Sequence, residues 1–232
     1  MSALWALLPV KPFSAAKARL SNRLPLAQRQ ALARAMAGDV VAALQAVDTV
    51  ERIFICSRGA DMAAWAKACG VDFIAEPDAA SGLNAAIAHA VPHLKKCGAN
   101  RLLVAHSDLP CLSTREIAKF VSTHIESPHP AVTIAPDRWD DGSNLLAWDV
   151  SLDFCTRYGP GSFQKHQAEA QRVEAAMNIC RLAGAAVDVD SETDFDFLLG
   201  DRAGLRLGPQ TQTFVDDFAR SQTPLPVTEN NG

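Results

Sequence analysis

Three carboxylates and a short run of cations are the residues in this chain best placed to do chemistry. Asp108 follows the apolar run Leu102–Ala105 and precedes Leu109-Pro110. Four apolar residues bounded by polar ones suit a strand buried on both faces, and Pro110 should end it. Asp108 then stands at the carboxyl end of a central strand, where open α/β sheets bind ligands. A carboxylate there can hold a divalent cation, because hard cations prefer oxygen; it can equally cap a turn or the helix near Ser113. Asp188 and Asp190 lie in a second acidic stretch, on one face if the chain is extended, and two such carboxylates repel unless a positive group lies between them. A solvated acidic turn is the other reading. Lys11, Lys17, Arg19 and Arg23 directly follow a first strand, Trp5–Val10, and could hold phosphates or form a solvated basic loop. Gly82 and Asn84 open a helix, as a ligand approach or as a turn and cap. Tyr158-Gly159-Pro160-Gly161-Ser162 offers backbone N–H groups and a hydroxyl at a helix start, as an anion nest or as a linker with a Ser cap.

The elements that position these residues alternate. Strands are expected at 5–10, 52–56, 71–75, 102–105, 132–135, 145–148 and 185–189. Helices are expected at 25–47, 61–69, from Asn84 to about Lys95, at 113–125, 167–182, from about Asp194, and at 212–220. Ser113 with Glu116 has capping-box spacing. The alternation points to parallel β-α units with right-handed crossovers. Neither a GxGxxG nor a GxxxxGK[ST] cradle is present.

Bulk properties narrow the function classes. The chain has 232 residues, 48% of them hydrophobic and 21% charged, with a formal net charge of -4. That length supports one sizeable core, and the acidic balance supplies no general field for nucleic acid or anionic membrane. Six scattered cysteines form no CxxC pair, consistent with free thiols in a reducing cytosol. The apolar start is too short to span a bilayer and lacks a signal-peptide pattern, so a cytoplasmic protein is expected. Residues 1–208 read as one domain, followed by a helix and a polar, disordered tail over Thr223–Gly232.

Six short motifs in order give these stretches a family. They are Leu8-Pro9-Val10-Lys11-Pro12 with Ala16-Lys17-Ala18-Arg19-Leu20, Gly82-Leu83-Asn84-Ala85-Ala86, Ser107-Asp108-Leu109-Pro110, Asp141-Gly142-Ser143-Asn144, Tyr158–Ser162, and Asp188-Val189-Asp190 followed by Asp194. Together they resemble the 2-phospho-L-lactate guanylyltransferase family of coenzyme F(420) biosynthesis, over Leu8 to about Leu199. The resemblance implies an α/β, three-layer Rossmann-like nucleotidyltransferase fold, its sheet mixed but mostly parallel, with helices on both faces. It implies transfer of GMP from GTP to a phosphorylated three-carbon acid: 2-phospho-L-lactate, phosphoenolpyruvate or 3-phospho-D-glycerate. It places Mg²⁺ on Asp108, Asp188 and Asp190, and makes Asp108, Lys17 and Arg19 the catalytic set. Lys11, Lys17 and Arg19 would hold the triphosphate, with Gly82 and Asn84 against the nucleotide. Ser143, Gly159 and Ser162 would hold the acid's carboxylate. Ser143 departs from the Thr frequent in the family, and His106 and Cys111 either shape the acid pocket or simply pack. A homodimer is compatible with the family. The rival readings are another nucleotidyltransferase, of molybdopterin guanylyltransferase or cytidylyltransferase type, and a non-catalytic nucleotide-binding regulator.

Overall fold

The structure, a computed structural model, describes residues 4–77 and 82–222. The tail expected over Thr223–Gly232 and the Asp78–Ser81 part of the loop before Gly82 lie outside the described residues. Seven strands form one sheet: β1 Leu4–Pro9, β2 Val50–Ser57, β3 Asp72–Ala75, β4 Arg101–Ala105, β5 Ala131–Pro136, β6 Ser143–Asp149 and β7 Ala176–Ile179, in the order β3-β2-β1-β4-β6-β5-β7. All neighbours pair in parallel except β6, which runs antiparallel to both β4 and β5.

Strand alternation builds both cores. Along β1, Leu4, Ala6 and Leu8 enter one apolar cluster, while Trp5 and Leu7 enter another. Along β4, Leu103 and Ala105 join the first and Leu102 and Val104 the second. Successive side chains of a strand point to opposite faces, so a continuous apolar run marks a strand covered on both sides. The cover on the first face is α1 Leu26–Gln45, α2 Ala60–Ala68 and α4 Thr114–Glu126. On the second it is α3 Leu83–Lys96 and α5 Ser162–Arg172. The three-layer arrangement of the expected fold class is therefore present. Leu4, Leu7 and Leu8 are fully buried, each contributing roughly 2 kcal/mol of apolar burial.

A third cluster joins Leu20, Leu24, Leu32 and Met36 to Phe195 and Leu198 of α6 Glu192–Leu199 and Val215 of α7 Pro209–Gln222. The buried Asp39 carboxylate accepts from Gln210 N at 2.9 Å and Thr211 N at 2.8 Å, satisfying the first turn of α7. Gly208 N donates to Pro110 O at 2.8 Å, so the segment entering α7 is tied to the loop that carries Asp108. Among the described residues no helix is long and apolar enough to cross a membrane.

Three expectations need correction. The helix expected over 167–182 begins one turn earlier and ends at Arg172, with Glu174 at φ 53° turning the chain into β7. Ser162 is the first helical residue rather than the cap; Gly161, at φ 68°, precedes it. The strand expected at 185–189 does not form. The last strand of the sheet is instead β7, beside β5, and the later segment joins its neighbours by isolated bonds, Arg138 N to Ala186 O and Val189 N to Asp108 O.

Candidate active site

Topology brings the charged motifs to one edge. β1 and β4 are parallel neighbours, so the Lys17 loop and Asp108 leave the sheet on the same side. Because β6 runs antiparallel to β4, with Leu145 opposite Ala105, its first residue, Ser143, lies at that edge too. The one reversed strand thus brings a hydroxyl to the edge where β4 ends.

Lys17 stands between two short 3₁₀ turns, Phe13–Ala15 and Ala18–Leu20, with φ 52° and ψ 41°. A lysine in the left-handed region is strained, and such strain persists where surrounding contacts hold it. Those contacts are carboxylates: Nζ donates to Asp108 Oδ2 at 2.6 Å and to Asp190 Oδ1 at 3.1 Å. Burial opposes the charge on Lys17, but attraction to Asp108 and Asp190 outweighs it and raises the amine above its ordinary value. Burial likewise opposes ionisation of Asp108, and Lys17 reverses this, leaving its carboxyl below the ordinary range. Among the described residues Asp188 has no such partner. Burial first, and then repulsion from Asp108 and Asp190, hold its carboxyl above the ordinary value. Two carboxylates therefore share one ammonium, with a third, Asp188, close enough to feel both of them but without a bond to Lys17. Among the described residues no set of three or more Asp, Glu, His or Cys groups is arranged as a ready metal site.

The neighbouring acids are structural. Asp194 caps α6, accepting from Asp190 N at 3.1 Å and Ser191 N at 2.8 Å, and its other oxygen accepts from Arg138. That cap sets the path of the Asp190 backbone. Arg23 pairs with Asp196 across an exposed contact, whereas Lys11 and Arg19 are exposed on the loop after β1.

Around Ser143 the structure links Asn84 and Asp141 to the loop before α5 and adds His166, to which the sequence assigned no role. Asn84 Nδ2 donates to Tyr158 O at 2.9 Å, and its Oδ1 accepts from Tyr158 N at 2.8 Å. Asn84, expected against the nucleotide, thus clamps the Gly159–Ser162 loop to the start of α3. Gly82, at φ 87°, supplies the backbone turn before that helix. Asp141 accepts from Gly161 N through its carboxylate and from Phe163 N through its carbonyl, fastening the Asp141–Asn144 motif to the start of α5. His166 meets Ser143 at 2.9 Å. Ser143, Ser162 and His166 are buried and Gly159 is exposed. The His106, Tyr158 and His166 rings form a row, with centroids 5.2 and 4.8 Å apart. Cys111 lies elsewhere: it lines a cavity of about 330 Å³ with Asp39 and Pro209, and burial pushes its thiol up to about 11. One signal could have flagged His166, since it follows Ser162 by four residues and shares its helix face.

A mixed α/β sheet with acidic, basic and hydroxyl groups gathered at its carboxyl edge defines a nucleotidyltransferase-type protein. Solved structures agree on the fold. A nucleotide-diphospho-sugar transferase from Desulfovibrio desulfuricans G20 superposes with a TM-score of 0.74 at 20% identity, over 94% of this chain and 96% of that one. A cytidylyltransferase from Leptospira borgpetersenii superposes at 0.57 with 10% identity, over 97% and 99%. The family described as guanylyl transferase CofC like matches residues 4–203. The phosphoenolpyruvate guanylyltransferase of Conexibacter woesei is 35% identical, covering 84% of this chain and 86% of its own length. That of Roseiflexus castenholzii is 34% identical, over 84% and 87%. The chain belongs to the CofC-like guanylyl transferase family and is a nucleotidyltransferase.

Proposed function

We propose that this enzyme transfers GMP from GTP to a phosphorylated three-carbon acid in coenzyme F(420) biosynthesis, with phosphoenolpyruvate the leading acid. Relatives named phosphoenolpyruvate guanylyltransferase support that choice; 2-phospho-L-lactate and 3-phospho-D-glycerate are the competitors. The observation that carries the reading is the buried ammonium of Lys17 held between Asp108 and Asp190 at the sheet edge, with the Asp188 carboxyl beside them and not bonded to it.

In this reaction a phosphate oxygen of the acid bonds to the α-phosphorus of GTP, the bond to the β-phosphate oxygen breaks, and pyrophosphate leaves. The nucleophile is already anionic, so the protein's work is positioning and charge neutralisation. The donor chemistry suits Mg²⁺, since carboxylate oxygens are hard and Asp188, held above its ordinary value first by burial and then by Asp108 and Asp190, has no bond to Lys17. Asp108, Asp188 and Asp190 would hold it, and it would offset charge on the phosphates. Lys17, with Lys11 and Arg19 from the same loop, neutralises the triphosphate. Gly82 and Asn84 border the nucleotide, and Asn84 also fixes the acid loop. Ser143, Ser162 and the Gly159 N–H bind the acid's carboxylate.

Incubation with GTP, Mg²⁺ and each acid in turn, following pyrophosphate, tests the proposal. Release with phosphoenolpyruvate, and little when CTP replaces GTP, is expected. No release with any of the three acids overturns it.

A further inference from the structure

We propose that His166 is a positioning residue for acid recognition: it accepts the Arg157 N–H, donates to Ser143 Oγ, and so commits the Ser143 hydroxyl to donate its proton to the substrate. The inference rests on the assignment of Ser143 to the acid's carboxylate.

The hydrogen-bond roles follow by elimination. Arg157 N lies 2.8 Å from His166 Nε2. A backbone N–H only donates, so Nε2 is the unprotonated, accepting nitrogen. A neutral imidazole then carries its proton on Nδ1, the atom 2.9 Å from Ser143 Oγ. Ser143 therefore receives a hydrogen bond from His166, and its own O–H must point to another acceptor. A hydroxyl that could turn either way becomes a fixed donor, the role a carboxylate requires.

The surroundings hold this tautomer. His166 is fully buried, and the Tyr158 ring stands edge-on to it, with centroids 4.8 Å apart at 75°. Phe154 covers it at 6.1 Å. Burial pushes the imidazole down to about 4, so the ring stays neutral where a protonated one would lose the Arg157 bond. The start of the loop is held twice, by Asn84 on the Tyr158 backbone and by His166 on the Arg157 N–H. His166 thus joins the loop bearing Gly159 and Ser162 to the strand bearing Ser143.

Two isosteric variants separate this role from simple packing. In His166→Asn the amide nitrogen takes the Nδ1 position and can still donate to Ser143. In His166→Gln the amide oxygen reaches the Nε2 position and can still accept from Arg157. We expect His166→Phe and His166→Gln to raise KM for the acid roughly tenfold or more, with kcat and the KM for GTP little changed. His166→Asn should recover most of the loss. In a Ser143→Ala background, His166→Gln, which keeps the Arg157 bond, should raise the acid KM no further. Rescue by Gln rather than Asn, additive losses in the double variant, or a fall in kcat without a change in acid KM would each overturn the inference. If Ser143→Ala leaves the acid KM unchanged, the assignment of Ser143 fails and takes this inference with it. If Ser143→Ala raises KM while His166→Phe does not, only the role of His166 fails.

Discussion

Between Asp108 and Asp190 the Lys17 ammonium does what a cation must do there, and the strained backbone at φ 52° is how the loop after β1 delivers it. Its side chain is only 8% exposed and that of Asp108 20%, so water screens the pair weakly. Removing one partner of a buried pair leaves an uncompensated charge. Lys17→Met should therefore lower stability by about 3 kcal/mol. It should also abolish turnover, because the same amine neutralises phosphate in the proposed reaction. The variant carries a more negative cluster, so added Mg²⁺ should raise its melting temperature more than that of the parent. Melting curves with and without Mg²⁺ check this; no shift in either protein would show that the cation does not bind these carboxylates. Asp108→Asn, nearly identical in shape, should leave the fold intact and remove turnover. Full activity in that variant would reduce Asp108 to a turn residue.

The site is assembled from elements that contact one another at their ends, and Asn84 shows how. Its amide pairs with both the N–H and the carbonyl of Tyr158, 74 residues away, so one side chain at the start of α3 fixes the loop before α5. Asn84→Ala should weaken acid and GTP together, raising both KM values, with a stability loss of about 1–2 kcal/mol. A change confined to the GTP constant would show that Asn84 only borders the nucleotide. Such contacts also explain what was legible in the sequence. The Leu102–Ala105 run read correctly as a doubly covered strand, and Ser113 with Glu116 forms the expected capping box, because both signals are local. β7 was not legible. It is a four-residue edge strand with alternating exposure, short enough to read as the end of a helix. The 185–189 segment misled in the opposite direction: its composition suits a strand, but it meets its neighbours only through isolated bonds to Arg138 and Asp108. Asp108, Asp188 and Asp190 could be named from their positions in the chain. The bonds of Lys17 to Asp108 and Asp190, and those of Asn84 and His166, depend on how distant elements meet.

At the scale of the whole molecule, a second buried polar group lies on the first sheet face, where α4 covers β5. His124 is fully buried on α4, with Nδ1 3.0 Å from Thr133 Oγ1 on β5. Its ring stands 5.8 Å from that of His129, which contacts Asp149 at 2.7 Å. Burial pushes His124 from 6.5 down to about 4; Asp149 opposes this, while His129 and Arg101 add to it. The sign of the effect on stability follows. Between these two values the unfolded chain binds a proton that the folded chain does not, so stability is full above the upper value and falls as pH drops toward the lower one. From about pH 7 to about pH 5 this one group should remove about 2 kcal/mol. His124→Asn keeps a donor toward Thr133 but does not titrate, and should flatten that part of the profile without changing the acid KM at neutral pH. Urea unfolding of both proteins at the two pH values measures the difference directly. Parallel profiles would show that His124 takes up its proton without unfolding the α4–β5 packing, and that other groups set the acid limit of the fold.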